Sequence, residues 1–97
     1  MPFANPDERN AWFRERYQGN VEYVSNLKLE SGCVDCGYRD NSDALEFDHL
    51  YPRKRGTVAS QMGRSRKVID EEIALCEIVC CNCHAIRTAN RQRGVLV

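Results

Sequence analysis

No stretch of this 97-residue chain stays apolar over the roughly 20 residues a membrane-spanning helix needs. The first residues, Met1-Pro2-Phe3-Ala4-Asn5-Pro6-Asp7-Glu8, have neither a basic start nor an apolar segment, so no secretory signal is expected. The expected setting is therefore the cytoplasm, where disulfides are rare and cysteine pairs more often hold metal. Surplus charge is missing too: 14 basic and 14 acidic side chains leave a formal net charge of zero. Overall charge thus announces no polyanionic partner. Internal repeats and low-complexity segments are absent. There are only two histidines, so any imidazole chemistry falls on His49 and His84.

What the chain does have is cysteine, six residues of it, in a length that builds one small domain. A core of that size is modest, and a metal or disulfide staple is the usual supplement. The charge is also unevenly spread. Between Leu50 and Ile69 lie Arg53, Lys54, Arg55, Arg64, Arg66 and Lys67 with no acid, and after His84 come Arg87, Arg91 and Arg93, again with none. A neutral protein arranged in this way can still turn a basic face to phosphates.

The hydrophobic pattern predicts an α+β order. Asn5 reads as a helix N-cap, with Pro6 at the first helical position and Glu8 placed for a capping box. Phe13, Tyr17, Val21, Val24 and Leu27 then recur at three- and four-residue spacing, giving one apolar stripe that Gly19 is placed to kink. Ser31-Gly32 ends this helix. Cys33 to Gly37 forms a tight knuckle, and Arg39 to Asp43 a polar turn. Ala44 to Leu50 alternates apolar and polar residues as a half-buried strand does. Pro52 to Gly63 is a basic connection, either a second DNA contact or a solvated loop. A short helix is expected from about Ser65 to Leu75, with Cys76 on its apolar face. Glu77-Ile78-Val79 is a β-type run, and Cys81 to Arg93 reads as a final helix closed by Gly94. The division that follows is a helical extension over residues 1–32 and a metal-stapled domain over 33–97.

Cys33-x-x-Cys36 and Cys80-x-x-Cys83 together carry the donor set of a tetrahedral zinc. A single C-x-x-C also suits a redox motif, and Cys80-Cys81-Asn82-Cys83-His84 has the spacing of a haem-attachment site. Neither alternative accounts for both pairs in an unexported chain. Cys81 stands close enough to replace a neighbour as ligand. If zinc joins the pairs, it draws the strand carrying Asp48-His49 toward the helix carrying His84. Asp48 and His84 can then share a divalent cation, and His49, pointing away from Asp48, is free to act as a base. Arg87 and Arg91, one and two turns beyond His84, are placed to hold phosphate oxygens.

These residues carry a resemblance. The runs Cys33-Val34-Asp35-Cys36-Gly37, Leu45-Glu46-Phe47-Asp48-His49, Glu72 to His84 and Arg87-Thr88 closely resemble small phage and bacterial HNH endonucleases with a zinc-bound ββα-metal core. The likeness spans about Cys33 to Arg91. It implies strands at about Leu45–His49 and Cys76–Cys80 and a helix over Cys81–Arg93. It implies Asp48 and His84 as ligands of a catalytic Mg2+, Mn2+ or second divalent cation, His49 as general base, and a structural Zn2+ on Cys33, Cys36, Cys80 and Cys83. It also implies DNA as substrate, other phage proteins as further partners, and the host cytoplasm as setting if the chain is phage-encoded. The family's central asparagine, nine residues before the last histidine and usual tie for the loop around the base, falls here on Leu75 with Cys76 beside it. A non-catalytic zinc ribbon that binds nucleic acid is the competing function. It needs the cysteines and the basic face but has no use for Asp48, His49 and His84 together. A redox protein, the third reading, leaves the histidines unexplained.

Overall fold

A computed structural model describes residues 3 to 94 of the chain. Helix α1 runs Pro6–Ser31, strand β1 Leu45–His49, helix α2 Arg66–Ile73, strand β2 Cys76–Cys80 and helix α3 Cys81–Gln92. The two strands pair antiparallel, from Leu45 opposite Cys80 to His49 opposite Cys76. The result is an α+β fold on a two-stranded sheet, and both strands fall at the expected positions.

Local chemistry explains most boundaries. The Asn5 side chain accepts from the Glu8 N–H at 2.9 Å, while the Glu8 carboxylate reaches past the cap to the Ala4 N–H, also at 2.9 Å. Helix α1 continues unbroken through Gly19 and stops at Gly32, whose φ of 66° suits a residue without Cβ. Ser65 caps α2, and the Cys80 sulfur accepts from the Cys83 N–H to start α3. Cys76 is not helical as expected. It opens β2, and its thiol donates to the Glu72 carbonyl at 3.4 Å.

Two apolar clusters lie on the hairpin. Val24, Val58, Met62 and Ile69 form one, with Phe47, Ile73 and Cys76 against it. Cys33, Leu45, Val79 and Cys80 form the other. The basic connection therefore does more than link strands, because Val58 and Met62 from it are core. Asn20 of α1 anchors it, donating to the Met62 and Arg64 carbonyls at 2.8 Å each.

The predicted stripe on α1 is only partly used. Val24 is buried, but Phe13 is 48% exposed and Tyr17 50%. The reason is reach: 26 helical residues extend about 39 Å, and the hairpin offers a surface only to the later turns. The C-terminal half of α1 shares a core with residues beyond 33, while the N-terminal half projects from a molecule of 55 × 28 × 17 Å. No helix among the described residues is long and apolar enough to cross a membrane.

Candidate functional site

The two C-x-x-C pairs meet as predicted. The sulfurs of Cys33, Cys36, Cys80 and Cys83 all lie within 4.8 Å of one another. Cys36 and Cys80 are 3.8 Å apart, close to the edge of about 3.8 Å that a tetrahedron of Zn–S bonds near 2.3 Å requires. The knuckle is held by Gly37 N–H to the Cys33 carbonyl and Cys33 N–H to the Tyr38 carbonyl, 2.8 Å each. Burial works against a Cys33 thiolate, but backbone N–H groups at Cys80, Cys36 and Asp35 outweigh it and bring the thiol down to about 6. Donor type, spacing and a sulfur poised as thiolate fit a structural zinc ion. Cys81 is exposed and stands outside the four.

Strand β1 sends its alternate residues to opposite sides. Glu46 and Asp48 meet α3, while Phe47 joins the first apolar cluster and His49 meets α2. The polar side of the strand is thus covered by α3. Asp48 is only 2% exposed. Its Oδ1 lies 3.5 Å from His84 Nε2, and His84 Nδ1 is 2.7 Å from Glu46 Oε1. The sequence-predicted pair of Asp48 and His84 is brought together.

The arginines are placed differently from the expectation. Arg87 was expected to hold phosphate, but it is buried at 6% exposure. Its guanidinium forks onto Asp35 with two bonds of 2.8 Å, donates to Asp48 Oδ2 at 2.8 Å and meets Glu77 at 3.0 Å. Charge-assisted bonds to three carboxylates hold it more strongly than solvent does, so it ties the cysteine knuckle to Asp48. Arg91 is half-exposed but also engaged, bidentate on Asp48 at 2.7 Å through each oxygen. Arg91 chiefly, with Arg87 assisting against the cost of burial, holds the Asp48 carboxyl down at about 2.

His49 also departs from the expectation of an open ring with few contacts. Its side chain is 10% exposed, and Nε2 lies 2.8 Å from Glu72 Oε2. Glu72 is fully buried and accepts in addition from the backbone N–H groups of Lys54 at 3.2 Å and Arg55 at 2.9 Å. Burial alone raises a carboxyl, but His49 and these two amides lower Glu72 below its ordinary value. An ionised carboxylate only accepts. In this contact His49 therefore donates from Nε2. Sequence reasoning passed over Glu72 as one of three consecutive acids. A signal existed, since it follows Ile69 by three residues, on the buried face of α2.

A groove of about 620 Å³ runs between α1 and the hairpin and is lined by both His49 and His84. Phe47, Val58 and Met62 supply apolar surface to it, and Lys28 and Arg53 supply cations.

Comparison of the chain with known families, curated proteins and solved structures returns no match. The functional reading therefore stands on the motif spacing and this geometry.

Proposed function

We propose that the chain is a metal-dependent endonuclease of the HNH type, with a ββα-metal core, that hydrolyses phosphodiester bonds in DNA. The observation that carries this reading is that both histidines line one groove, each held by a carboxylate, with Asp48 against one of them. Asp48 Oδ1 and His84 Nε2 lie 3.5 Å apart, an oxygen and an imidazole nitrogen that could be shared by one divalent cation. They are the donors that would hold the cation, which when bound offsets phosphate charge and stabilises the leaving oxygen.

The protein's own part follows from its geometry. His49 Nδ1 accepts the proton of the attacking water. The ring then becomes a cation, and the Glu72 carboxylate at Nε2 stabilises that charge. Glu46 fixes the tautomer of His84 by accepting at Nδ1, which turns the Nε2 lone pair toward Asp48. Arg53 supplies exposed positive charge to the groove, and Lys54 and Arg55 follow it on the same exposed loop, paired with Glu71. Binding should accordingly weaken steeply with salt and depend little on sequence.

A second reading has one observation in its favour. Both Asp48 oxygens are taken by guanidinium groups, an arrangement that suits a zinc-stapled nucleic-acid-binding ribbon with no catalytic cation. The deciding experiment incubates the zinc-loaded protein with supercoiled plasmid, with and without Mg2+ or Mn2+, beside His49→Ala. Metal-dependent nicking by the wild type, lost in the variant, supports the nuclease. A wild type that binds DNA in a salt-dependent manner but cuts neither DNA nor RNA with any divalent cation establishes the ribbon instead.

A further inference from the structure

The carboxylate of Glu72 has no solvent exposure and three donors around it. Oε2 receives His49 Nε2 and the Lys54 N–H, and Oε1 receives the Arg55 N–H. Such a group is costly to bury unless every lone pair in use has a partner. Its neighbour Glu71 faces the same loop in another way, meeting the tips of Lys54 and Arg55 at 3.5 and 3.0 Å near the surface. Glu71 touches charges that solvent also screens. Glu72 touches the loop backbone, which sets where those side chains start.

We propose that Glu72 is the positioning residue of this site, one buried carboxylate that locks the His49 ring and the Arg53–Arg55 loop to each other. The proton acceptor and the cations at the groove's edge are thereby set as a unit. The proposal rests on the nuclease reading for its catalytic consequence, but not for the structural tie. Besides Glu72, the described side chains give this stretch of backbone one bond, from Gln61 Nε2 to the Arg55 carbonyl at 3.4 Å, while Glu71 reaches only the side-chain tips. A carboxylate is required at Glu72, since all three partners donate. Glutamine has the same shape but only one acceptor oxygen. In either orientation its NH2 meets a donor, and with the NH2 toward His49 it favours the opposite imidazole tautomer.

The test uses the full zinc-loaded chain and compares wild type, Glu72→Gln, Glu71→Gln, His49→Ala and the His49→Ala/Glu72→Gln double variant. Nitrogen-15 NMR reads the His49 tautomer and the Lys54 and Arg55 amide shifts, and plasmid cleavage gives kcat and KM separately. The wild type should show His49 protonated at Nε2. Glu72→Gln should keep its zinc, move both loop amides and lose His49 order. Its kcat should fall by about 10²-fold, the low end of what a general base contributes. The double variant should be no slower than His49→Ala, because both changes disable the same group. Glu71→Gln should alter salt dependence and KM, with kcat within about twofold of wild type.

Wild-type kcat in Glu72→Gln, or additive losses in the double variant, would overturn the proposal. If Glu72→Gln does not fold, the wild-type spectrum still decides, since a His49 protonated at Nδ1 contradicts the tie. If the wild type cuts nothing, the nuclease reading fails by itself, and the tautomer and amide shifts still judge whether Glu72 joins ring and loop.

Discussion

The hairpin is closed by different chemistry at its two ends. At the Leu45–Cys80 end four sulfurs converge and one metal ion suffices to join a knuckle to a helix start. At the His49–Cys76 end a carboxylate gathers an imidazole and two backbone amides. Loaded with metal, the sulfur end would draw its stability from few strong bonds to an external ion. The carboxylate end distributes it over several weaker bonds made by the chain alone. Between them Arg87 reaches from Asp35 in the knuckle to Asp48 on β1, so the two ends are mechanically connected.

That contrast is open to direct attack. The largest effect should come from the sulfur end. Structural zinc contributes about 10–16 kcal/mol in small modules, which matches or exceeds the whole stability of an ordinary domain, about 5–15 kcal/mol. Cys33→Ser or Cys83→Ser should therefore lose metal, and cooperative melting with it, as should the wild type in strong chelator. A protein free of zinc that still melts sharply would remove the sulfur end from the argument.

His49→Ala tests the other end and should be milder. The ring is one of three donors to Glu72, and deleting it leaves a buried carboxylate with two amides. A loss of about 1–3 kcal/mol is expected from such a vacated partner, read by denaturant unfolding at constant zinc content. On sequence grounds alone this variant looks nearly neutral, because the ring is expected to face open solvent. Unchanged stability would mean that the carboxylate end holds nothing.

Asp48 sits between the ends and supplies a pH signature. Its folded value is lowered to about 2 from an ordinary 3.8. A lowered folded value means stability that is present above 3.8 and lost as pH falls toward 2. Comparison with Asp48→Asn isolates this group from acid loss of zinc. The wild type should exceed the variant by on the order of 2 kcal/mol at neutral pH, and the gap should close between pH 4 and 2. A gap independent of pH would place the benefit in packing instead of charge.

The smallest effect belongs to Glu46. Its side chain is 46% exposed and, among the described residues, hydrogen-bonds to His84. Glu46→Gln should shift stability by less than about 1 kcal/mol, as exposed pairs do. A larger loss in thermal unfolding would show that His84 supports the neighbouring sulfur cluster through this contact.

The two ends also differ in how far they could be read in advance. Each C-x-x-C is a local signal, because the knuckle that presents both sulfurs spans only four residues. The strands were legible from alternation and from the motif resemblance, and the caps at Asn5 and Gly32 from their own chemistry. The extended α1 stripe misled for a physical reason. Periodicity reports that a face is apolar, but not whether a partner surface is long enough to cover it.

The sequence by itself therefore determined the element order, the four-sulfur cluster and the placing of both histidines at the ends of regular elements. The helix starts, the strand alternation and each C-x-x-C follow from residues within a few positions of one another, while the donor chemistry of a four-sulfur site joined pairs as far apart as Cys36 and Cys80. Only the tertiary structure decided what those histidines and arginines touch. Glu72 meets His49 from 23 residues away, and Arg87 meets Asp35 from 52. Spacing along the chain carries no information about such partners. Competition among nearby acids in a shielded interior assigns them, and there the arginines satisfied buried carboxylates and the carboxylate of Glu72 took the ring that sequence reading had left open.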